Sequence, residues 1–362
     1  MNTRQILAIL VGIASLVTGI LAVQIIWFPL SLGESPVTPL APPPAPLHER
    51  VLPDFIQKLS GPFKHKNLTF YLVHGADSLK GKTPLTLEEA MERRLVVVHE
   101  TGDVNELSIE NVSRSDEVFV QAGDIVKGGQ QDRMLAVDLI VPANSGRIPI
   151  DSFCVESGRW TARGVESKVE FNSSAEYAPS KDLKMAAKHS KSQGEVWSKV
   201  AESQEKLSAA TNTNTASSVS QSSLPLTLEN QKVRSDSGEY ARFLSDIVDH
   251  KSDVIGIVMV INGKINSADI YGSSALFVKL WPKLLKAAAI EAVAESSEED
   301  RSRIILTTED IVAFLDTAER SPVTEERTVT DRIRLITRAS ETSVFLTSLD
   351  RETVLHRNYL VK

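Results

Sequence analysis

From residue 68 onward the chain is cut into short β-branched and aromatic runs, and this spacing constrains the fold more than any other feature. LTFYLVHG (68–75) and RLVVVHE (94–100) read as strands. ELSIENVS, EVFVQAG, RMLAVDLIVPA, RIPIDSFCVE and KVEFNSS follow, separated by Ser, Asn, Asp and Gly. Runs of this kind between turn formers predict a mostly antiparallel sheet or sandwich. In RMLAVDLIV, Leu135, Val137, Leu139 and Val141 recur at every second position, so they share one face of a strand. One short helix, TLEEAMERR, interrupts the series. Thr86 as N-cap with Glu89 three residues later spells a capping box.

The character then changes. KMAAKHSKSQGEVWSKVAESQEKLSAA has helical composition, TNTNTASSVSQSS (211–223) is low in complexity and reads as a flexible loop, and GEYARFLSDIVDH reads as a further helix. A second block opens with DVIGIVMVINGKINSADIYGS, where Asn262-Gly263 between apolar runs predicts a hairpin. ALFVKLWPKLLKAAAIEAVA predicts a helix kinked or restarted at Pro282. TTEDIVAFLDTA predicts a shorter helix capped by Thr308, and DRIRLITRA, TSVFLTSLD and VLHRNYLV predict a closing sheet.

Before the first strand, Ile6 to Leu30 reads ILAILVGIASLVTGILAVQIIWFPL, without a charge. Roughly 20 apolar residues span a bilayer as a helix. With Arg4 before the run and Glu34 as the first charge after it, the expectation is a single-pass anchor, N-terminus cytoplasmic and the body extracytoplasmic. A cleaved signal peptide is the alternative, and it gives the body the same compartment. GESPVTPLAPPPAPLH (33–48) is a proline-rich spacer. The expected class is therefore α+β. It comprises residues 1–5 in the cytoplasm, a transmembrane helix at 6–30, a linker at 31–52 and a β-rich block at 53–180. A helical insert at 181–252 holds the disordered loop 211–223, and an α+β block at 253–362 packs with 53–180 as one domain.

Composition excludes some functions. A net charge of −7 without a Lys/Arg run argues against nucleic acid as a partner. The single cysteine, Cys154, can form no internal disulfide. The seven histidines show no HxH or HExxH spacing, so no metal is indicated, and no motif names a cofactor.

The chemistry concentrates in two stretches. KGGQQDR (127–133) is not a phosphate loop, because neither G-x-x-x-x-G-K-[ST] nor G-x-G-x-x-G is present. Its Gly128-Gly129 pair reads as a bend or a close backbone approach. About twenty residues on, FCVESGRW (153–160) places a thiol, a carboxylate, a guanidinium and an indole at one strand end. If the strands holding these stretches pair, Lys127, Arg133, Glu156 and Arg159 share one cleft. Asp269 with Tyr271 and Gly272 either completes such a site or leads into the next helix, with Ser273 or Ser274 as its cap.

GDIVKGGQQDR, the apolar strand with VPA, and CVESGRW together resemble the ADP-ribosylglycohydrolase and rhodanese-phosphatase associated protein domain family. GEVWSKV (194–200) and DIYGSSALFVKLWPKLL (269–285) are also similar to it, so the resemblance covers about residues 55–360. It implies no established reaction, only association with enzymes of ADP-ribose and phosphoester chemistry.

Each candidate has two readings. Cys154 is a nucleophile activated by Arg159 or Lys127, or a buried structural thiol. Glu156, with Asp132, does proton transfer, or Glu156 is a salt-bridge partner of Arg133 or Arg159. Lys127, Gln131, Arg133 and Arg159 hold an anion, with Trp160 stacking on it, or they form an internal network with Trp160 as a core anchor. Two functions compete accordingly. One is a membrane-anchored domain binding or processing an anionic small molecule of nucleotide, ADP-ribose or phosphosugar type. The other is a membrane-tethered, non-catalytic scaffold. A concave pocket containing Arg133 and Glu156 favours the first; a closed network favours the second.

Overall fold

The structure, a computed structural model, describes residues 53, 55–159, 161, 171–296 and 304–362. The first block supplies β1 (Ile56–His65), β2 (Leu68–Gly75), β3 (Leu85–Thr86), α1 (Leu87–Glu92), β4 (Val96–Glu100), β5 (Glu106–Asn111) and β6 (Val118–Val120). It continues with β7 (Ile125–Gly128), β8 (Arg133–Leu135), β9 (Leu139–Val141), β10 (Arg147–Cys154) and β11 (Phe171–Asn172). The helical stretch holds α2 (Lys181–Met185), a π-helical turn (Ala186–Ser190), α3 (Gln193–Thr211), α4 (Leu224–Leu228) and α5 (Gln231–Leu244). The last block holds β12 (Val254–Ile261), β13 (Lys264–Tyr271), α6 (Ser274–Ala294) and α7 (Thr308–Glu319). It closes with β14 (Val323–Thr328), β15 (Ile333–Ala339), β16 (Ser343–Asp350) and β17 (Thr353–Val361).

Strands of both blocks share one antiparallel sheet, ordered β1-β2-β12-β13-β17-β16-β15-β14. The central strand β12 is buried along its whole length. Alternation explains this: Ile257, Met259 and Ile261 join the cluster under α6, whereas Val258 and Val260 join the one under α7. A sheet covered on both faces needs continuous apolar strands. The turn between β12 and β13 puts Asn262 at φ 53° and Gly263 at φ 74°, as a two-residue hairpin requires. A second sheet, β11-β7-β8-β10-β5-β4, carries the signature stretches, and a third joins β3, β6 and β9.

The capping box at Thr86 forms, and Ser273 caps α6. The shorter helix is capped one residue earlier than expected, by Thr307. That residue is extended at ψ 164° and closes a box with Asp310. Pro282 does not divide α6, which runs as one helix through it. Leu280, Trp281, Leu284 and Leu285 are buried around it, so packing outweighs the lost backbone hydrogen bond.

Two expectations are corrected. Among the described residues no helix is long and apolar enough to cross a membrane. The longest, α6 with 21 residues, contains Lys279, Lys283, Lys286 and Glu291, and ionic side chains are costly in hydrocarbon. The fold class is thus α+β without a transmembrane helix among these residues, and neither the single-pass arrangement nor the localisation read from it stands. The run Ile6–Leu30 and the linker 31–52 lie outside the described residues. The second correction concerns 211–223. Thr211 ends α3, Asn212 takes the left-handed cap position at φ 49°, and Ser220, Ser222 and Ser223 are hydrogen-bonded into the second sheet's loops. A stretch expected to be flexible is pinned.

Candidate functional site

KGGQQDR is the end and turn of the β7–β8 hairpin. Gly128 sits at φ 121° and Gly129 at φ 55°, conformations that side-chain-bearing residues avoid. A Cβ on Gly129 would also lie 2.5 Å from the Phe171 ring and 2.6 Å from the Glu100 carboxylate. The glycines thus make the bend and the close approach that the sequence suggested. β8 pairs with β10, setting Arg133 opposite Cys154, so the two stretches do meet.

Their side chains divide into two groups, because β8 begins at Arg133 and β10 ends at Cys154, so Asp132 and Glu156 lie beyond the strand ends and outside their alternation. Asp132 and Glu156 form one group. Glu156 accepts from Asp132 N–H at 3.2 Å, from Arg159 Nε at 2.7 Å and from Ser220 Oγ. Asp132 accepts from Gly128 N–H at 3.1 Å and Ser223 Oγ at 2.8 Å, and lies 3.6 Å from Arg159. Arg159 also donates to the carbonyls of Gly128 and Gly129, both at 3.3 Å. Gln131 Nε2 donates to the Glu156 carbonyl at 3.0 Å. Arg133 belongs to the other group, donating to Glu100 at 3.3 Å, to the Val104 carbonyl at 3.1 Å and to Cys154 Sγ. Lys127 pairs with Glu229 at 2.6 Å.

Gln131, Asp132, Cys154 and Glu156 are 0% exposed and Arg133 is 1% exposed. Burial pushes the Cys154 thiol up, with Arg133 only partly opposing, so it is held as a thiol rather than a nucleophilic thiolate. Burial would raise Glu156 as well, but Arg159, Ser220 and the Asp132 N–H together hold its carboxyl below the usual range. An ionised, saturated carboxylate has no proton to give near neutrality. Trp160 lies outside the described residues.

A second polar array is built where the sequence showed no motif. A cavity of about 360 Å³ lies beside the π-helical turn, walled by Ala136, Val137, Phe153 and Leu335. Its polar lining is Lys188, Lys191, Gln193, Asn105, Asp151 and Arg327. The π turn carries Ala187 and Lys188 into the wall and ends at Lys191, left-handed at φ 51°. Such turns recur at functional sites because the extra residue re-aims the side chains around it. A smaller recess of about 10 Å³, near the space one water needs, shares Lys188, Ala136, Val137 and Leu335 with the cavity. It leads to Asp138, Ser348 and Asn358.

Behind the recess runs a buried chain of hydrogen bonds. Lys188 Nζ donates to Asn358 Oδ1 at 3.0 Å, and Asn358 Nδ2 donates to Asp269 Oδ1 at 2.9 Å. His356 lies between Asp269, 3.0 Å from Nε2, and Asp138, 2.9 Å from Nδ1. Ser348 Oγ at 2.6 Å and Ala122 N–H at 2.8 Å also donate to Asp138. The Tyr271 ring stacks on the imidazole at 4.5 Å. Burial disfavours the imidazolium, but the two carboxylates outweigh it and raise His356 above its ordinary value. For Asp269, burial is outweighed by Lys184, His356 and Lys188, which hold it down at about 2. Burial lowers Lys188, and nearby Lys184 adds to this against Asp138 and Asp269.

Sequence reasoning raised Asp269 and Tyr271 but missed Lys188, Asp138, His356 and Asn358. One signal was present: Asp138 is the single charge inside the apolar stretch MLAVDLIV (134–141), and a charge buried there needs a partner. Among the described residues no cluster of His, Cys, Asp and Glu is arranged to hold a metal ion.

Residues 57–360 match the model of the ARG and Rhodanese-Phosphatase-superfamily-associated Protein domain. No curated protein and no solved structure matches the chain.

Proposed function

The chain belongs to the ARG and Rhodanese-Phosphatase-superfamily-associated Protein domain family, and on that premise we propose that it binds a compact organic anion in the cavity at Lys188. The observation that carries this reading is the lining itself. Lys188, Lys191 and Arg327 stand against one carboxylate, Asp151, with the amides Asn105 and Gln193 beside them and an apolar wall of Ala136, Val137, Phe153 and Leu335. Lys191 and Arg327 are engaged with Glu325 and Asp151, whereas Lys188 is buried and donates to a neutral amide. Pockets for small molecules run from about 300 to 1,000 Å³ with a few convergent polar groups. At about 360 Å³ this one favours a sugar phosphate or small carboxylate over a molecule the size of ADP-ribose. The test is a thermal-shift screen of the chain against small carboxylates, sugar phosphates, nucleotides and ADP-ribose. A ligand at about 100 times its Kd adds about 2.7 kcal/mol. A compact anion should stabilise the wild type and leave Lys188→Met unmoved; no shift from any compound removes the reading.

A second reading, a non-catalytic scaffold, is favoured by a different observation. Arg133, Glu156 and Arg159 are paired within the protein and none lines the cavity. Under it the signature fixes the fold, and no compound in the screen shifts the transition.

A further inference from the structure

We infer that Lys188 is a carbonyl-trapping amine and that the anion taken by the cavity is a small 2-oxo acid. The inference rests on the anion-binding reading of the same cavity and adds a covalent step to it. Lys188 lines both the cavity and the recess, so its side chain spans the boundary between open volume and buried array. Its amine is fixed by one side-chain hydrogen bond, to Asn358. Lys184, one turn earlier and also buried, lies against the Tyr177 ring at 4.7 Å. A desolvated lysine beside a second cation is the usual way an amine is kept nucleophilic.

The charges behind it suit the product. Asp138 and Asp269 flank one imidazolium and leave a net charge of −1 next to Lys188. That charge balances an ammonium before reaction and an iminium after it, so forming the adduct buries no new uncompensated charge. Arg327 stands in the same lining with a planar fork suited to a carboxylate.

The step balances without a further reactant. The neutral Lys188 Nζ attacks the carbonyl carbon, a C–N bond forms, and the carbonyl π pair moves to oxygen. A proton passes from nitrogen to that oxygen, giving a carbinolamine. The C–O bond then breaks as the oxygen takes up the proton that the Lys188 ammonium gave up on becoming neutral and leaves as water; the second amine proton stays on nitrogen, and a protonated C=N bond, the iminium, remains.

The experiment treats the intact chain with pyruvate, 2-oxobutyrate or glyoxylate and borohydride, then maps adducts by peptide mass spectrometry. Lactate, which keeps the carboxylate and lacks the carbonyl, is run beside them in thermal shift. The expected result is one reduced adduct per chain on the Lys188 peptide, absent in Lys188→Met, and a shift with lactate. Because the site is read on the wild-type peptide, the result does not depend on the variant's folding. A shift with lactate but no adduct, or adducts spread over surface lysines, overturns the covalent step and leaves anion binding standing. Neither shift nor adduct with any of these compounds overturns both.

Discussion

Replacing Glu156 separates a closed network from a binding site. Its carboxylate takes Asp132 N–H at 3.2 Å, Arg159 Nε at 2.7 Å and Ser220 Oγ, and Glu156 and Asp132 are themselves fully buried. Glu156→Gln keeps the volume and one oxygen for the first two donors. Its amide nitrogen falls beside Ser220, whose hydroxyl can rotate to accept. What is lost is charge, leaving Arg159 with Asp132 at 3.6 Å. Hydrogen bonds to charged groups are worth about 1.5–3 kcal/mol, so Glu156→Gln should cost about 2 kcal/mol. Glu156→Ala strips the acceptor from all three donors, and breaking a buried pair costs about 3–5 kcal/mol, so about 4 kcal/mol is expected. Glu156→Leu with Arg159→Met should cost clearly less than the two single changes summed, because neither partner is left behind. Urea unfolding followed by circular dichroism gives these values from the midpoint at constant slope. Single variants within about 0.5 kcal/mol of wild type, the scatter of surface substitutions, would refute the reasoning. So would a Glu156→Gln protein of normal stability that no longer binds a compact anion.

Three further outcomes follow from the geometry. Ser223→Ala removes both the cap of α4 and the 2.8 Å hydrogen bond to Asp132; a loss of about 2–3 kcal/mol in the same urea assay is expected. Cys154, buried and held as a thiol, should react with a thiol reagent only after unfolding, and rapid labelling of the native protein would contradict this. Stability should fall at both ends of the pH scale through His356 and Asp269. Asp269, lowered to about 2 when folded, stabilises above its unfolded value near 3.9 and loses that contribution, roughly 2–3 kcal/mol, as pH falls through about 2. His356, raised when folded, stabilises fully below about 6.5 and loses that contribution as pH climbs through its folded value. Asn in place of Asp269 should flatten both limbs.

The fold was legible where turn residues bound an apolar run. β2, β4, β12, β13, β15, β16 and β17 fall on such runs; β15 alternates in burial, whereas β2 and β12 are continuously apolar because both faces of their sheet are covered. The pairing of KGGQQDR with CVESGR was legible too, through residue types that only make sense near one another. Which way each side chain turns was not, since β10 ends at Cys154 and Glu156, two residues on, meets Arg159 while Cys154 meets Arg133. The serine-rich stretch misled for a related reason. Ser220 and Ser223 look like linker composition until Glu156 and Asp132 appear opposite them. The array behind Lys188 draws on a turn after β8, a π-helical turn and three strands of the large sheet. No local window contains it.

The position of β17 fixes the order of events during synthesis. Thr353–Val361 lies between β13 and β16, pairing Ser267 with Leu360 on one side and Val344 with Leu360 on the other. Until it leaves the ribosome, the half of the sheet that carries β12 and the half that carries β15 have no strand to join them. The same nine residues bring His356 and Asn358. A nascent chain therefore carries Asp138, Asp269 and Lys188 before His356 and Asn358 have been made. At 5–20 residues per second this is an interval of roughly ten seconds or more from Asp138 onward. During that time an unzipped β13 edge is open to other chains.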